Sequence, residues 1–201
     1  IIALPALSVS FGYDAVGNIT AIGDGLTEAV SPDLGTISYS YLANRLDNVV
    51  EGAVTRTYGY DNAGNTIWDG ALEFQYNQDG RLKKVLSGTT TIGEYTYDGR
   101  GRRVIKTASG ETRVFHYDRF DRLISESDAS GNLLVDYVYL EDRPLAQMRP
   151  VTGSPDQTYY YHTDHLGTPK VMTDSTQAVV WKVPLDEFGN ELAAGVRTVE
   201  N

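Results

Sequence analysis

Apolar and polar residues alternate in short runs along most of the chain. Examples are Thr55-Arg56-Thr57-Tyr58-Gly59-Tyr60, Glu94-Tyr95-Thr96-Tyr97 and Arg113-Val114-Phe115-His116-Tyr117. A period near two marks a half-buried strand, because successive side chains point to opposite faces of a sheet. A second run follows each of these, as in Arg81-Leu82-Lys83-Lys84-Val85-Leu86 and Arg122-Leu123-Ile124-Ser125. No window of about a dozen residues carries the 3.6-residue period of an amphipathic helix. The pattern predicts strand after strand.

The junctions between runs repeat. YDAVGN stands at 13–18, YDNAGN at 60–65, YNQDGR at 76–81, YDGRGR at 97–102 and YDRFDR at 117–122. Tyr60, Tyr76, Tyr97 and Tyr117 follow one another at steps of 16, 21 and 20 residues, and Tyr41, Tyr139 and Tyr161 open related units. A period near 20 is the mark of an array built from one small supersecondary unit. Within each junction the residues suit a turn. Asp14, Asp61, Asp98 and Asp118 occupy the first position, where a carboxylate accepts backbone N–H bonds. Gly17, Gly64, Gly80 and Gly101 fall at the left-handed position, predicting a hairpin with a one-residue bulge. Tyr13 and its counterparts close the incoming strand; Asn18, Asn65 and Arg81 open the outgoing one. Asp121 takes the glycine slot in the 117–122 copy. Weaker turns, such as Trp68-Asp69-Gly70 and Ala129-Ser130-Gly131-Asn132, join the units. Residues 150–157 and 26–36 read as loops.

Composition narrows the function. The chain of 201 residues is 41% hydrophobic, with 20 Gly and 14 Tyr, a pairing that suits turns and pleated surfaces. Its net charge of −10 disfavours phosphate backbones and anionic membranes as partners. The absence of cysteine removes disulfides, zinc–thiolate sites and thiol catalysis. No apolar run approaches the ~20 residues of a membrane-spanning helix. The opening IIALPALSVSF reads as strand rather than signal peptide.

Candidate chemistry is sparse. His162, Asp164 and His165 are the one cluster of metal-ligand types, but no fourth ligand is predictable and His165-Leu166-Gly167-Thr168-Pro169 reads as a turn. The repeated aspartates could be set against general acid–base work or calcium. A catalytic pair is needed once, however, whereas a turn is needed in every unit. The tyrosines suit either a stacking platform for sugars or peptides, or a ladder of cross-strand aromatic pairs, with hydroxyls reaching turn carbonyls of the next unit. No nucleophile–base pair emerges, no cofactor is expected, and the expectation is a chain that is not an enzyme.

These junctions resemble the YD repeats of the Rhs family. Residues 159–191, with HTDHLGTP, VVW and DEFGN in order, are similar to the signature near the end of the Rhs core; His162, Asp164, His165, Gly167, Pro169, Asp186 and Gly189 lie in it. The resemblance covers the chain from about residue 11 onward. It implies an all-β array of antiparallel hairpins in a long coiling sheet, part of a hollow shell like those of toxin-complex C components and teneurins. The expected organisation is a YD-repeat array over 1–158 and the signature segment over 159–201, continuing the same sheet as one repeat domain of a larger protein. The implied function is encapsulation of a C-terminal toxin for delivery to competitor or host cells. The alternative is an extracellular adhesion or fibre-forming module binding glycan, protein or itself. Implied partners are that cargo or further YD repeats, with secretion machinery or self-association through sheet edges; neither nucleic acid nor membrane insertion is expected. The location implied is secreted or at the bacterial cell surface. The family continues beyond DEFGN into a cleavage segment absent here, so neither autoproteolysis nor toxicity is carried over, and Asp186 is read as a turn residue.

Overall fold

The computed structural model describes residues 9–24, 37–183 and 195–199. The described residues are strands and turns, with no helix among them. The predicted loop at 26–36, the opening residues 1–8, and Asp186 and Gly189 lie outside the described residues.

The chain forms two units, residues 1–94 and 95–201. In the first, β1 (Val9–Tyr13), β2 (Ile19–Asp24), β3 (Ile37–Leu42), β4 (Arg45–Glu51) and β5 (Val54–Thr57) pair antiparallel in chain order. In a second sheet, β6 (Gly59–Tyr60), β7 (Thr66–Trp68), β8 (Glu73–Tyr76) and β9 (Leu82–Ser87) pair antiparallel in turn, and β10 (Thr90–Tyr97) pairs with β9 from Thr90 to Glu94. β5 ends the first sheet and β6 begins another; Tyr58 between them donates its N–H to Asp47 O of β4 at 2.9 Å.

The second unit repeats the plan with longer strands. β11 (Arg103–Ala108), β12 (Glu111–Tyr117), β13 (Leu123–Asp128), β14 (Leu133–Leu140), β15 (Arg143–Val151), β16 (Ser154–Thr163), β17 (Pro169–Thr173), β18 (Val179–Lys182) and β19 (Val196–Arg197) pair antiparallel in sequence order. Neighbours in sequence being neighbours in space, every pairing is local, and short turns set the register. Register slips fall beside the tyrosines of YD turns, as between Gly12 and Tyr13, Gly59 and Tyr60, and His116 and Tyr117. That is the bulge expected of an Asp-x-x-Gly hairpin.

The predicted loop at 150–157 is instead two strand ends joined by a tight turn at Thr152–Gly153, with Val151 opposite Ser154 and Arg149 opposite Gln157. Pro150 sits in the register slip between Arg149 and Val151, where its missing N–H breaks no ladder bond.

The core is thin. Val135 and Met172 are fully buried, and Tyr159, Met172 and Val180 form a cluster backed by Tyr161, Trp181 and Val199. Each such side chain contributes about 1.5–3 kcal/mol by leaving water. Polar groups share the buried surface. Glu126 is 6% exposed, accepting from Tyr137 Oη at 2.8 Å and Arg113 Nη1 at 3.2 Å. Buried Gln147 accepts from Tyr161 Oη at 3.0 Å. Burial, and then the Glu126 carboxylate, push the Tyr137 phenol far above its ordinary range, so it remains a donor.

Candidate functional site

The repeated turn is the feature with the most regular chemistry. In the copy at 60–65, Asp61 N donates to Asn65 O at 3.0 Å and Gly64 N to Asp61 O at 3.1 Å. The carboxylate then serves its own loop: Oδ1 accepts from Asn65 N and Oδ2 from Asn65 Nδ2, both at 2.8 Å. Gly64 has φ of 92°, a left-handed conformation that disfavours any Cβ. The same frame holds Asp14 with Gly17 and Asn18, Asp98 with Gly101 and Arg102, and Asp118 with Asp121 and Arg122. In the copy closed by Gly80, Asn77 substitutes its amide oxygen, which accepts from Asp79 N and Arg81 N at 3.0 and 2.9 Å. Where arginine ends the motif its guanidinium grips the aspartate: Arg102 Nε and Nη2 both lie 2.7 Å from Asp98 Oδ2, and Arg122 holds Asp118 in the same way.

These bonds favour the charged carboxylate. Asp61 is held below the usual carboxylate range chiefly by the Asn65 side chain, and Asp14 likewise by Asn18. For Asp98 and Asp118 partial burial pushes upward, but the backbone N–H and guanidinium of the motif's own arginine outweigh it. A carboxylate saturated by its own turn and depressed in pKa is a poor proton acceptor and has little left for an ion.

The tyrosines act between units. Tyr41 Oη donates to Ile19 O, Tyr60 Oη to Leu46 O and Tyr76 Oη to Thr66 O, all at 2.8 Å. Tyr117 Oη reaches Arg103 O and Tyr139 Oη reaches Leu123 O, both at 2.9 Å. Each acceptor belongs to the outgoing strand of the preceding unit, not to a turn of the next one. The regular contact on the ring is arginine, not a cross-strand aromatic pair: Arg45 lies over Tyr60, Arg102 over Tyr117 and Arg122 over Tyr139, at 5.7, 4.9 and 5.6 Å from the centroids. The same arginines reach the next turn, Arg45 Nη1 to Asp61 O and Arg102 Nη1 to Asp118 O at 3.4 Å. Tyr13 is exposed beside Phe11 in its own strand, and Tyr97 ends β10.

In the signature segment, Asp164 makes the same turn: Asp164 N bonds to Thr168 O, Gly167 N to Asp164 O, and Oδ1 accepts from Leu166 N and Thr168 N. His162 Nε2 lies 2.9 Å from Thr173 Oγ1, His165 is exposed, and Pro169 starts β17. Among the described residues no three His, Cys, Asp or Glu side chains gather in a metal-binding group. Two further copies lack the tyrosine, one at the turn read as a weak junction over 129–132 and one at 174–178. Asp128 to Asn132 is a full copy at a strand end where Ser127 replaces tyrosine, and Asp174 to Ala178 is another, with Gln177 at φ of 69° in place of glycine. The shared signal is aspartate three residues before a left-handed position, without the aromatic.

An all-β array of antiparallel hairpins, turned in register by Asp-x-x-Gly loops and tied unit to unit by tyrosine hydroxyls, defines a YD-repeat protein. The family model described as Teneurin YD-shell matches residues 8–194, and the chain belongs to that family. It is 28% identical over 188 residues to tRNA nuclease WapA of Bacillus subtilis (strain 168), covering 90% of this chain and 8% of that protein. It is 26% identical to mouse Teneurin-1 over 184 residues, 90% of this chain and 6% of the relative. Among solved structures, the crystal structure of TcdB2-TccC3 shares the fold with a TM-score of 0.50 at 15% identity, over 95% of this chain and 14% of the other. The chain thus spans under a tenth of the length of these two curated relatives.

Proposed function

We propose that this chain is a section of wall in an Rhs-type β-shell, sequestering a toxin encoded C-terminal to it for delivery to competitor or host cells. The observation that carries the reading is the stitching of each hairpin to its predecessor, by Tyr60 to Leu46 O, Tyr76 to Thr66 O, Tyr117 to Arg103 O and Tyr139 to Leu123 O. Such a device extends a sheet indefinitely by repetition and uses its polar groups to hold itself, which suits a wall better than a catalyst. One relative is named a nuclease, tRNA nuclease WapA, and another a toxin, Double-stranded DNA deaminase toxin A of Burkholderia cenocepacia (strain H111); the matches cover 8% and 16% of their lengths. On this reading residues 1–158 and 159–201 work as one array, the turn residues are structural, the cargo and neighbouring repeats are the partners, and the protein is secreted or at the bacterial cell surface.

The test is protease protection of the full natural polypeptide. The cargo is expected to resist cleavage while the array is folded and to become sensitive once acid opens it. Cleavage of the cargo at the rate of the isolated cargo domain would count against encapsulation and favour the adhesion or self-assembling alternative.

A further inference from the structure

Each tyrosine unit opens on two aromatic residues one position apart, the second being the motif tyrosine, from Phe11-Gly12-Tyr13 to Tyr159-Tyr160-Tyr161. A spacing of two puts both rings on one face of the incoming strand. Inside the array that strand lies antiparallel to the outgoing strand of the preceding hairpin, as β3 does to β2 and β14 to β13. The motif tyrosine then donates to the carbonyl one position past that hairpin's last motif residue: Ile19 follows Asn18, Leu46 follows Arg45 and Leu123 follows Arg122. Arg45, Arg102 and Arg122 each add a guanidinium over the ring. From Tyr39 and Tyr41 onward, every such pair is half-buried or buried.

The first pair breaks this pattern. Phe11 is 37% exposed and Tyr13 61%, with ring centroids 6.5 Å apart. β1 pairs with β2 on one side and ends its sheet on the other. Among the described residues the Tyr13 hydroxyl has no hydrogen-bond partner and no guanidinium lies over its ring. The rest of the array shows what covers such a pair: the outgoing strand of a YD hairpin. A second copy of this chain cannot supply that strand without unpairing itself, because every outgoing strand from β2 to β17 already has a neighbour on both sides.

We propose that the free edge of β1 docks the outgoing strand of a further YD hairpin, antiparallel, with Phe11 and Tyr13 as its anchors. The Tyr13 hydroxyl donates to the carbonyl one position past the last motif residue of that hairpin, and an arginine ending the motif lies over the Tyr13 ring. The unpaired N–H and C=O groups of β1 provide the ladder, as in other cases of strand addition, and the two rings leaving water provide selectivity for a strand of this kind. The inference rests on the same hydroxyl stitching that carries the wall reading, but not on any cargo.

The experiment uses a capped peptide with the sequence of residues 113–128, a hairpin whose motif ends at Arg122 and continues with Leu123. It is titrated into the isotope-labelled chain and followed by NMR, with a scrambled peptide as control. Saturable binding is expected, with the largest shifts at the amides of Phe11, Gly12 and Tyr13. Tyr13→Phe is expected to bind about fivefold more weakly, the scale of one hydrogen bond, while the urea midpoint of the chain alone stays unchanged. Tyr76→Phe, which loses a bond already made to Thr66 O, is expected to do the reverse: a lower midpoint and unchanged binding. Absence of saturable binding, equal binding of the scrambled peptide, shifts centred away from β1, or undiminished binding by Tyr13→Phe would each overturn the proposal. The peptide comparison decides it even if Tyr76→Phe fails to fold. Cargo protection does not enter this assay, so its failure and the failure of encapsulation are separate results.

Discussion

Asp61 shows what the motif asks of one side chain. Both carboxylate oxygens are engaged by Asn65, one through the backbone N–H and one through the side-chain amide. Asp61→Ala removes both acceptors while leaving the Gly64 bond in place, so the turn keeps its shape but loses its internal brace. The expected cost is about 0.5–2 kcal/mol, the range for a lost local side-chain-to-backbone bond, measured by urea denaturation followed by circular dichroism. An unchanged midpoint would remove the bracing role. The place of Asp61 at the first position of a turn is legible in Tyr-Asp-x-x-Gly-Asn alone, because turn chemistry is local in sequence. The Asp174 turn was not readable, since Gln177 at φ of 69° contradicts the residue preference on which the reading relied.

At the scale of the hairpin, adjacent turns are tied by charge. Asp121, in the glycine slot at φ of 67°, accepts from both Arg100 Nη1 and Arg102 Nη1 at 2.8 Å. The left-handed backbone strains an aspartate by something under the 1–2 kcal/mol charged to ordinary residues, while exposed ion pairs contribute about 0.2–1 kcal/mol each. The two effects nearly cancel at low salt. Asp121→Gly is therefore expected to be close to neutral in 50 mM NaCl and more stable than the parent in 1 M NaCl, where screening removes the pairs but not the strain. Urea midpoints of both proteins at the two salt concentrations check this; a difference independent of salt would show that Asp121 is not an electrostatic link. The sequence marked Asp121 as a departure from the pattern. It did not reveal Arg100 and Arg102 as partners, because that contact depends on the register of β11 to β13.

At the scale of the whole molecule, the aspartates act together. Asp14, Asp61, Asp98, Asp118, Asp128, Asp164 and Asp174 all have pKa values lowered in the folded chain. In the unfolded chain they titrate near 3.9. Between the folded and unfolded values the unfolded state binds more protons, so stability rises with pH across that window. The contribution is fully present above about pH 4 and is lost as pH falls through the depressed folded values. The urea midpoint should be nearly flat from pH 7 to about pH 5 and drop steeply below about pH 4. A loss of stability on raising the pH over that range would contradict the assignment of these carboxylates.

The strand periodicity, the hairpin corners and the family were determined by the sequence itself, because each depends on residues within about twenty positions of one another and on side-chain chemistry that acts locally. The tertiary structure decided what lies between repeats. Tyr60 could have stacked on another ring; the pleat and register carry its hydroxyl to Leu46 O and bring Arg45 over its face. Asn65 looked like an ordinary variant of the arginine slot. Only the folded turn shows its side-chain amide donating to Asp61 Oδ2 in the place an arginine takes at Asp98 and Asp118. The physical reason is the same in both cases: which groups meet across strands is set by register and bulges, and those are properties of the paired sheet, not of any single strand.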